Sequence, residues 1–300
     1  MTNTDFYSKI KSSFNKAAES YTSNAVLQTE VGTRLLERLE FFAVNPQTIL
    51  DLGMGTGAIT ELLSNAYPSA DIIGVDFAEA MLKTAQSKRP VTAQNYHLLC
   101  GNMNRLPIAD NSVDIIFSNF SFQWCENIAA LFTECRRVLK NDGLLIFTIP
   151  GPHTLYQLRL ALDEVDPDYD HVNNFIDMHN IGDILVQSKF AHPVMDNDEF
   201  TLTYSSVIKL IKDIKIIGAN VKLSENYRST LFGKDKFQQL YHAYDKFKLE
   251  DNTYPLTFEV IYGHAFKLAK PVKIKHPEIN GIEESYVSVD KIIRPSSRSE

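Results

Sequence analysis

Cysteine, tryptophan, positive charge and long apolar runs are all scarce in this chain. Three cysteines in 300 residues, Cys100, Cys125 and Cys135, form no C-x-x-C pair. That excludes a disulfide scaffold and the common zinc and dithiol motifs, so the thiols read as reduced, structural groups. Thirty Lys and Arg against 37 Asp and Glu leave a net charge of −7, which argues against a general nucleic-acid or anionic-membrane binder. The opening "MTNTDFYSKIKSSF" lacks the apolar core of a secretion signal, and no stretch approaches the roughly 20 apolar residues of a membrane span. The expectation is a cytoplasmic protein with no metal site. What is present is ordinary globular composition, 44% hydrophobic and 22% charged, at a length sufficient for one large α/β domain with insertions.

Residues 5–40 are helical in pattern, with Val26, Val31, Leu35, Leu36 and Leu39 along one apolar face. The period then changes. "QTILDLG", "ADIIGVD", "NYHLLCGN", "VDIIFSN" and "GLLIFTIP" read as five strands, the last entered through a turn at Asn141 to Gly143. Residues 57–66, "AEAMLKTAQSK" and "NIAALFTECRRVLK" read as the helices between them. Strands alternating with helices predict a doubly wound, mostly parallel sheet covered on both faces. After Pro150 the rhythm breaks. A helix opening near His153 or Thr154, "IGDILVQSKF" and the amphipathic "SSVIKLIKDIKIIGA" read as helices. "VMDNDEFTLTY" and "LTFEVIYGHAF" alternate like strands and predict an antiparallel pair at the sheet edge, with a helical insertion between them. The expected division is a helical segment at 1–42, a ligand-binding core at 43–150, the remaining core with lid insertions at 151–268, and a polar tail at 269–300 that reads as partly disordered.

The most informative stretch is "ILDLGMGTGAIT", residues 49–60, which places Gly53, Gly55 and Gly57 at the carboxyl end of the first strand. Open α/β sheets bind ligands there, and bare backbone admits a cofactor to helix-terminal N–H groups. Asp76 ends the second strand at the spacing of a ribose-binding acid. These features alone suit a nicotinamide dinucleotide and S-adenosyl-L-methionine about equally. Asp51 separates them, because a carboxylate attracts the cationic amino-acid end of the latter and repels a pyrophosphate.

With Asp51-x-Gly-x-Gly-x-Gly, Asp76, "ML" at 81 and 82 and "LPIADNSVD", residues 45–150 resemble the class I S-adenosylmethionine-dependent methyltransferases. The resemblance implies a seven-stranded Rossmann-like sheet with S-adenosyl-L-methionine as cofactor. Gly53, Gly55 and Gly57 would line its amino-acid and sugar moieties, Asp76 would accept from the ribose hydroxyls, and Met81 and Met103 would sandwich the adenine. Asn102, where such families usually carry Asp, would touch the adenine amino edge, and Asn119 would complete the cofactor site.

The segment after the fourth strand, "SNFSFQWCEN", is not the Asn-Pro-Pro-aromatic turn of enzymes that methylate amino groups of bases or amides. Together with "FNKAAESYTSNAVLQ", "FIDMHNIGD" and "LTFEVIYGHAF", it resembles the malonyl-acyl-carrier-protein O-methyltransferases of biotin synthesis over residues 10–267. The implied partner is malonyl-acyl-carrier protein. A malonyl carboxylate is ionised at neutral pH, with a pKa of about 3–4, and needs no general base. The implied site is therefore a positioning pocket, in which proximity supplies about 7–11 kcal/mol. Phe120 and Trp124 would wall it, and Tyr21, Arg159 and His171 are the candidates to hold the carboxylate. Lys209, Lys212 and Lys215 recur every three residues and would form one side of a helix facing an acidic carrier. A quinone or free-acid methyltransferase and an assembly-factor-like relative acting on a protein are the competing readings.

Overall fold

The structure, a computed structural model, describes residues 3–89, 95–216 and 233–269. The polar tail anticipated from residue 269 onward falls almost wholly outside the described residues. Seven strands form one sheet in the order β3-β2-β1-β4-β5-β7-β6. β1 (Thr48–Leu52), β2 (Asp71–Asp76), β3 (Tyr96–Cys100), β4 (Val113–Ser118) and β5 (Leu139–Pro150) run parallel. β7 (Tyr254–Lys267) is antiparallel both to β5 and to the outermost strand, β6 (Ala191–Tyr204). The anticipated antiparallel pair is present at the edge.

α3 (Ala58–Ala66), α4 (Glu79–Lys88) and α5 (Ile128–Val138) are the crossovers, which bury the sheet on both faces. Ile49, Leu50, Ile115 and Ile116 are accordingly all fully buried, whichever face they point to. The chain leaves β1 toward β2 and β3, then returns to β4 on β1's other side. The carboxyl ends of β1 and β4 therefore open a crevice where the winding reverses.

The N-terminal helical segment is two helices, α1 (Asn3–Asn24) and α2 (Val26–Leu39), broken at Ala25. The Asn24 side-chain amide donates to the Ser20 carbonyl at 2.7 Å, competing for the acceptor of the final α1 turn. The break turns Val26 outward, 67% exposed, whereas Val31, Leu35 and Leu39 are buried as their spacing requires. The turn anticipated at Asn141 to Gly143 is a bulge inside β5. Leu139 pairs with Val113 and Leu144 with Ile115, and Asp142 takes φ +63° to absorb the extra residues. Lys140 reaches across the bulge to both carboxylate oxygens of Asp114.

After β5, α6 (Tyr156–Val165) begins two or three residues later than its sequence suggests, following Leu155 at φ +61°. α7 (Met178–Gln187), α8 (Val207–Ile216) and α9 (Lys234–Asp245) complete the described helices. No helix among the described residues is long and apolar enough to cross a membrane.

Candidate functional site

The loop between β1 and α3 is pinned to β2 by its own backbone. Gly53 and Met54 N–H groups both donate to the Val75 carbonyl, at 2.8 and 3.0 Å. Asp76, the last residue of β2, accepts from Gly55 N at 2.9 Å through one carboxylate oxygen and from Ala78 N at 2.8 Å through the other. Each oxygen keeps a lone pair for a ligand hydroxyl. Gly53, Gly55 and Gly57 all have positive φ, but for different ends. A Cβ at Gly55 would meet only Tyr21 Cε1, 3.8 Å away, so this glycine faces the crevice. A Cβ at Gly53 would strike the Ser121 side chain, and one at Gly57 the Tyr96 hydroxyl. Gly57 lines neither part of the crevice, and its role is to let α3 start close against β3.

The crevice has two lobes that meet at Tyr21, Gly53, Gly55 and Asn119. One, of about 510 Å³, lies among Asp76, Met81, Met103, Phe120 and Trp124. The other, of about 480 Å³, reaches Gln28, Asp51 and Thr56. Burial pushes the Asp51 carboxyl up to about 7 against the opposing bond from Thr60 Oγ1, 2.6 Å away. Burial likewise holds Asp76 at about 6, against the backbone N–H groups that favour its anion. Among the described residues, no Lys, Arg or His lines either lobe. A crevice with an acid in each lobe and no cation suits a positively charged ligand and repels a pyrophosphate. S-adenosyl-L-methionine, with its cationic sulfonium and amino group, fits such a lining.

Residues 119–124 form the wall where the lobes join. Phe120 holds φ +47°, an uncommon value for a bulky side chain. Its N–H donates to Thr148 Oγ1 at 3.0 Å, and its carbonyl accepts from Gln123 Nε2 at 2.7 Å. Asn119 is fully engaged, taking a bond from Thr148 Oγ1 and giving one to the Gln28 carbonyl, each 2.8 Å. It lines the crevice as a brace between β5 and α2. Tyr21 is the opposite case. Its hydroxyl makes no hydrogen bond among the described residues, and burial raises its pKa, keeping it a neutral donor.

Three further candidates stand elsewhere. Asn102 turns its Oδ1 to Asn104 N, 2.9 Å away, and caps a local turn outside the lining of either lobe. Arg159 donates to the Asn174 side chain and the Asn173 carbonyl, both at 2.9 Å, and ties α6 to the following loop. His171 is buried with its Nε2 3.0 Å from Asp166 Oδ2, and Lys236 bonds the other oxygen of that carboxylate. Neither Arg159 nor His171, both anticipated to hold a carboxylate, lines the crevice. Lys209 and Lys212 are exposed on α8, while the side chain of Lys215 lies outside the described residues.

Local patterning missed Phe14, Phe77 and Ser121, which also line the adenosine-side lobe. Phe14 packs edge-to-face on Tyr21, Phe77 and Trp124, with centroids 6.3, 6.2 and 5.4 Å apart. The seven-residue spacing of Phe14 and Tyr21, two helical turns, was the available signal.

A methyltransferase-domain family matches residues 50–147. The malonyl-acyl-carrier-protein O-methyltransferase of Gallionella capsiferriformans is 42% identical over 268 residues, covering 88% of this chain and 91% of that protein. Malonyl-acyl-carrier-protein O-methyltransferase 1 of Coxiella burnetii is 40% identical over 285 residues, 95% of each. The YcgJ protein of Bacillus subtilis shares the fold, with a TM-score of 0.55 at 19% identity over 79% of this chain and 98% of that one. With the glycine loop, the acid-lined crevice and this identity across nearly its whole length, the chain belongs to the malonyl-acyl-carrier-protein O-methyltransferase family.

Proposed function

We propose that this protein transfers the methyl group of S-adenosyl-L-methionine to the free carboxylate of a malonyl thioester on acyl-carrier protein. The methyl ester would serve as a primer for pimelate synthesis toward biotin, in the cytoplasm. The observation that carries this reading is the lining itself: carboxylates in both lobes, an aromatic wall, and one unspent neutral donor where the lobes meet.

The cofactor, when bound, supplies an activated methyl group on a cationic sulfonium. An ionised malonyl carboxylate would accept that methyl group without giving up a proton, so the site needs no general base. The chain's own residues have three tasks. Asp51 and Asp76 hold the ligand's cationic and hydroxyl groups. Phe14, Phe120 and Trp124 exclude water from the reacting oxygen, which strengthens its attraction to the sulfonium. Tyr21 donates to the carboxylate and orients it, the part left after Arg159 and His171 are set aside. Residues 3–42 cover the cofactor, and Lys209 and Lys212 of α8 face the acidic carrier.

The test is incubation with isotopically labelled S-adenosyl-L-methionine and malonyl-, succinyl- and glutaryl-carrier proteins. Mass spectrometry should find one methyl group on the malonyl carrier. Label on a quinone or free acid, or on protein carrying no acyl group, would replace this reading with one of its rivals.

A further inference from the structure

A third cleft, of about 750 Å³, opens beside the cofactor crevice. Its walls are Val26 and Leu27 from the α1–α2 joint, Leu202 and Tyr204 from the end of β6, Ile214 from α8 and Phe258 from β7. Leu202 and Tyr204 pair with Leu256 and Tyr254, whereas β5 ends at Pro150, opposite Val260. The cleft therefore stands above the carboxyl edge of the parallel strands, on the same side as the crevice. Gln28 lines both, and its carbonyl holds Asn119 at the meeting point of the two cofactor lobes.

The chemistry changes along this cleft. Gln28 lies on the side shared with the crevice and α8 forms another wall, with Ser23, Asn24 and Thr203 set among the apolar residues. The one acid of the lining, Asp213, accepts the Tyr204 hydroxyl at 2.6 Å. Lys209 lies one helical turn before Asp213 on the same side of α8. Lys209 and Lys212 are exposed, and neither makes an ion pair among the described residues. An occupant matching this order is a slender chain with apolar segments, amide groups and an anion at its outer end.

We infer that this cleft receives the 4′-phosphopantetheine arm of the thioester substrate, with its phosphate beside Lys209 and Lys212 and its acyl end passing Gln28 toward Tyr21. The assignment rests on the malonyl-thioester reading above, and it names the arm common to carrier protein and coenzyme A. Both ends of the arm follow from the geometry. The phosphate stays at the surface, where it is attached to its carrier, and the carboxylate arrives beneath Phe120.

The experiment is calorimetry on the full chain with unacylated 4′-phosphopantetheine and with pantetheine, which lacks the phosphate. Val26→Trp fills the mouth at an exposed position and should weaken both ligands at least about ten-fold. Lys209→Glu with Lys212→Glu should weaken 4′-phosphopantetheine by about the same factor and leave pantetheine unchanged. In both variants, calorimetry of S-adenosyl-L-methionine reports whether the cofactor crevice is intact. Kinetics gives a second readout: in Val26→Trp the ratio of kcat/KM for malonyl-phosphopantetheine to that for a short malonyl thioester should fall about ten-fold. Malonyl-coenzyme A and malonyl-carrier protein, run in parallel, distinguish the two sources of the arm. Absent binding by the unmodified chain, or equal affinity in all variants, overturns the assignment. Val26-sensitive binding without methyl transfer to any malonyl thioester would instead defeat the proposed function and leave the arm cleft standing.

Discussion

A carboxylate added at Gly55 would enter the space between Tyr21 and Asp76 and carry a φ of +56° that only glycine adopts freely. Gly55→Asp should abolish S-adenosyl-L-methionine binding by calorimetry in a folded protein. Asp76→Ala, which removes an acceptor and leaves the loop backbone, should weaken binding by about 1.5–3 kcal/mol. Gly57→Ala should fail differently, by lowering Tm, because its methyl strikes the Tyr96 hydroxyl. Adding Tyr96→Phe removes the struck oxygen and should recover part of the loss in a thermal melt. Asp51 and Asp76 predict the pH dependence. Burial raises both above the ordinary carboxylate value, to about 7 and about 6, so the folded chain holds extra protons from about pH 4 upward. Their contribution to stability is intact below pH 4 and is lost as pH rises through 6 to 7. Without cofactor, Asp51→Asn should gain in Tm over the unmodified chain between pH 5 and 8, at about 2–4 °C per kcal/mol relieved. The placement of Asp51, Gly55 and Asp76 in the crevice follows from adjacent sequence and was legible in advance. The positions of Arg159 and His171 outside the crevice lining were not, because Asn173 and Asn174 bond the first and Asp166 the second through contacts that local spacing does not encode.

At the scale of elements, α1 carries the cover over the crevice and is attached at several points along its length. Tyr7 Oη accepts from Asn104 Nδ2 at 2.5 Å, Asn15 Oδ1 accepts from Ala80 N at 3.0 Å, and Thr22 and Thr56 hydroxyls meet at 2.8 Å. Phe14 sits between these anchors and joins α1 to the crevice wall. Phe14→Ala should therefore speed cofactor dissociation about ten-fold in stopped-flow fluorescence, with a smaller change in the association rate. An unchanged dissociation rate would mean that α1 does not gate the ligand. The strands were legible because parallel strands buried on both faces must be continuous apolar runs. The break at Ala25 was not, since its cause is one Asn24 side-chain bond within a helical periodicity that continues across it. The β5 bulge was read as a turn for a related reason. Asn141 to Gly143 has turn composition, and only the pairing with β4 converts it into a bulge.

For the whole molecule, net charge and local field oppose one another. A chain of net charge −7 repels an acidic partner at long range, but within a Debye length of about 8 Å local groups decide docking, and we propose that the exposed Lys209 and Lys212 of α8 are those groups. Reversing Lys209, Lys212 and Lys215 to Glu should raise KM for malonyl-carrier protein and flatten its dependence on salt. Equal effects on a short malonyl thioester that lacks both the carrier and the arm's phosphate would place the docking face elsewhere. The outermost strand has a consequence of another kind. β6 is 14 residues long and, among the described residues, has a neighbour, β7, on one side only, so its other side is a template on which a further strand from another copy can add. Its sequence counters that. His192 at φ +51° and the register shift before Val194 bend its first residues, and Pro193 offers no N–H. Farther along, Asp196, Asp198 and Glu199 crowd one short stretch with negative charge, of which Arg34 and Arg38 from α2 compensate only the aspartates. A second β6 approaching edge to edge would bring a bend against a bend and carboxylates against carboxylates, which opposes pairing between copies along this edge.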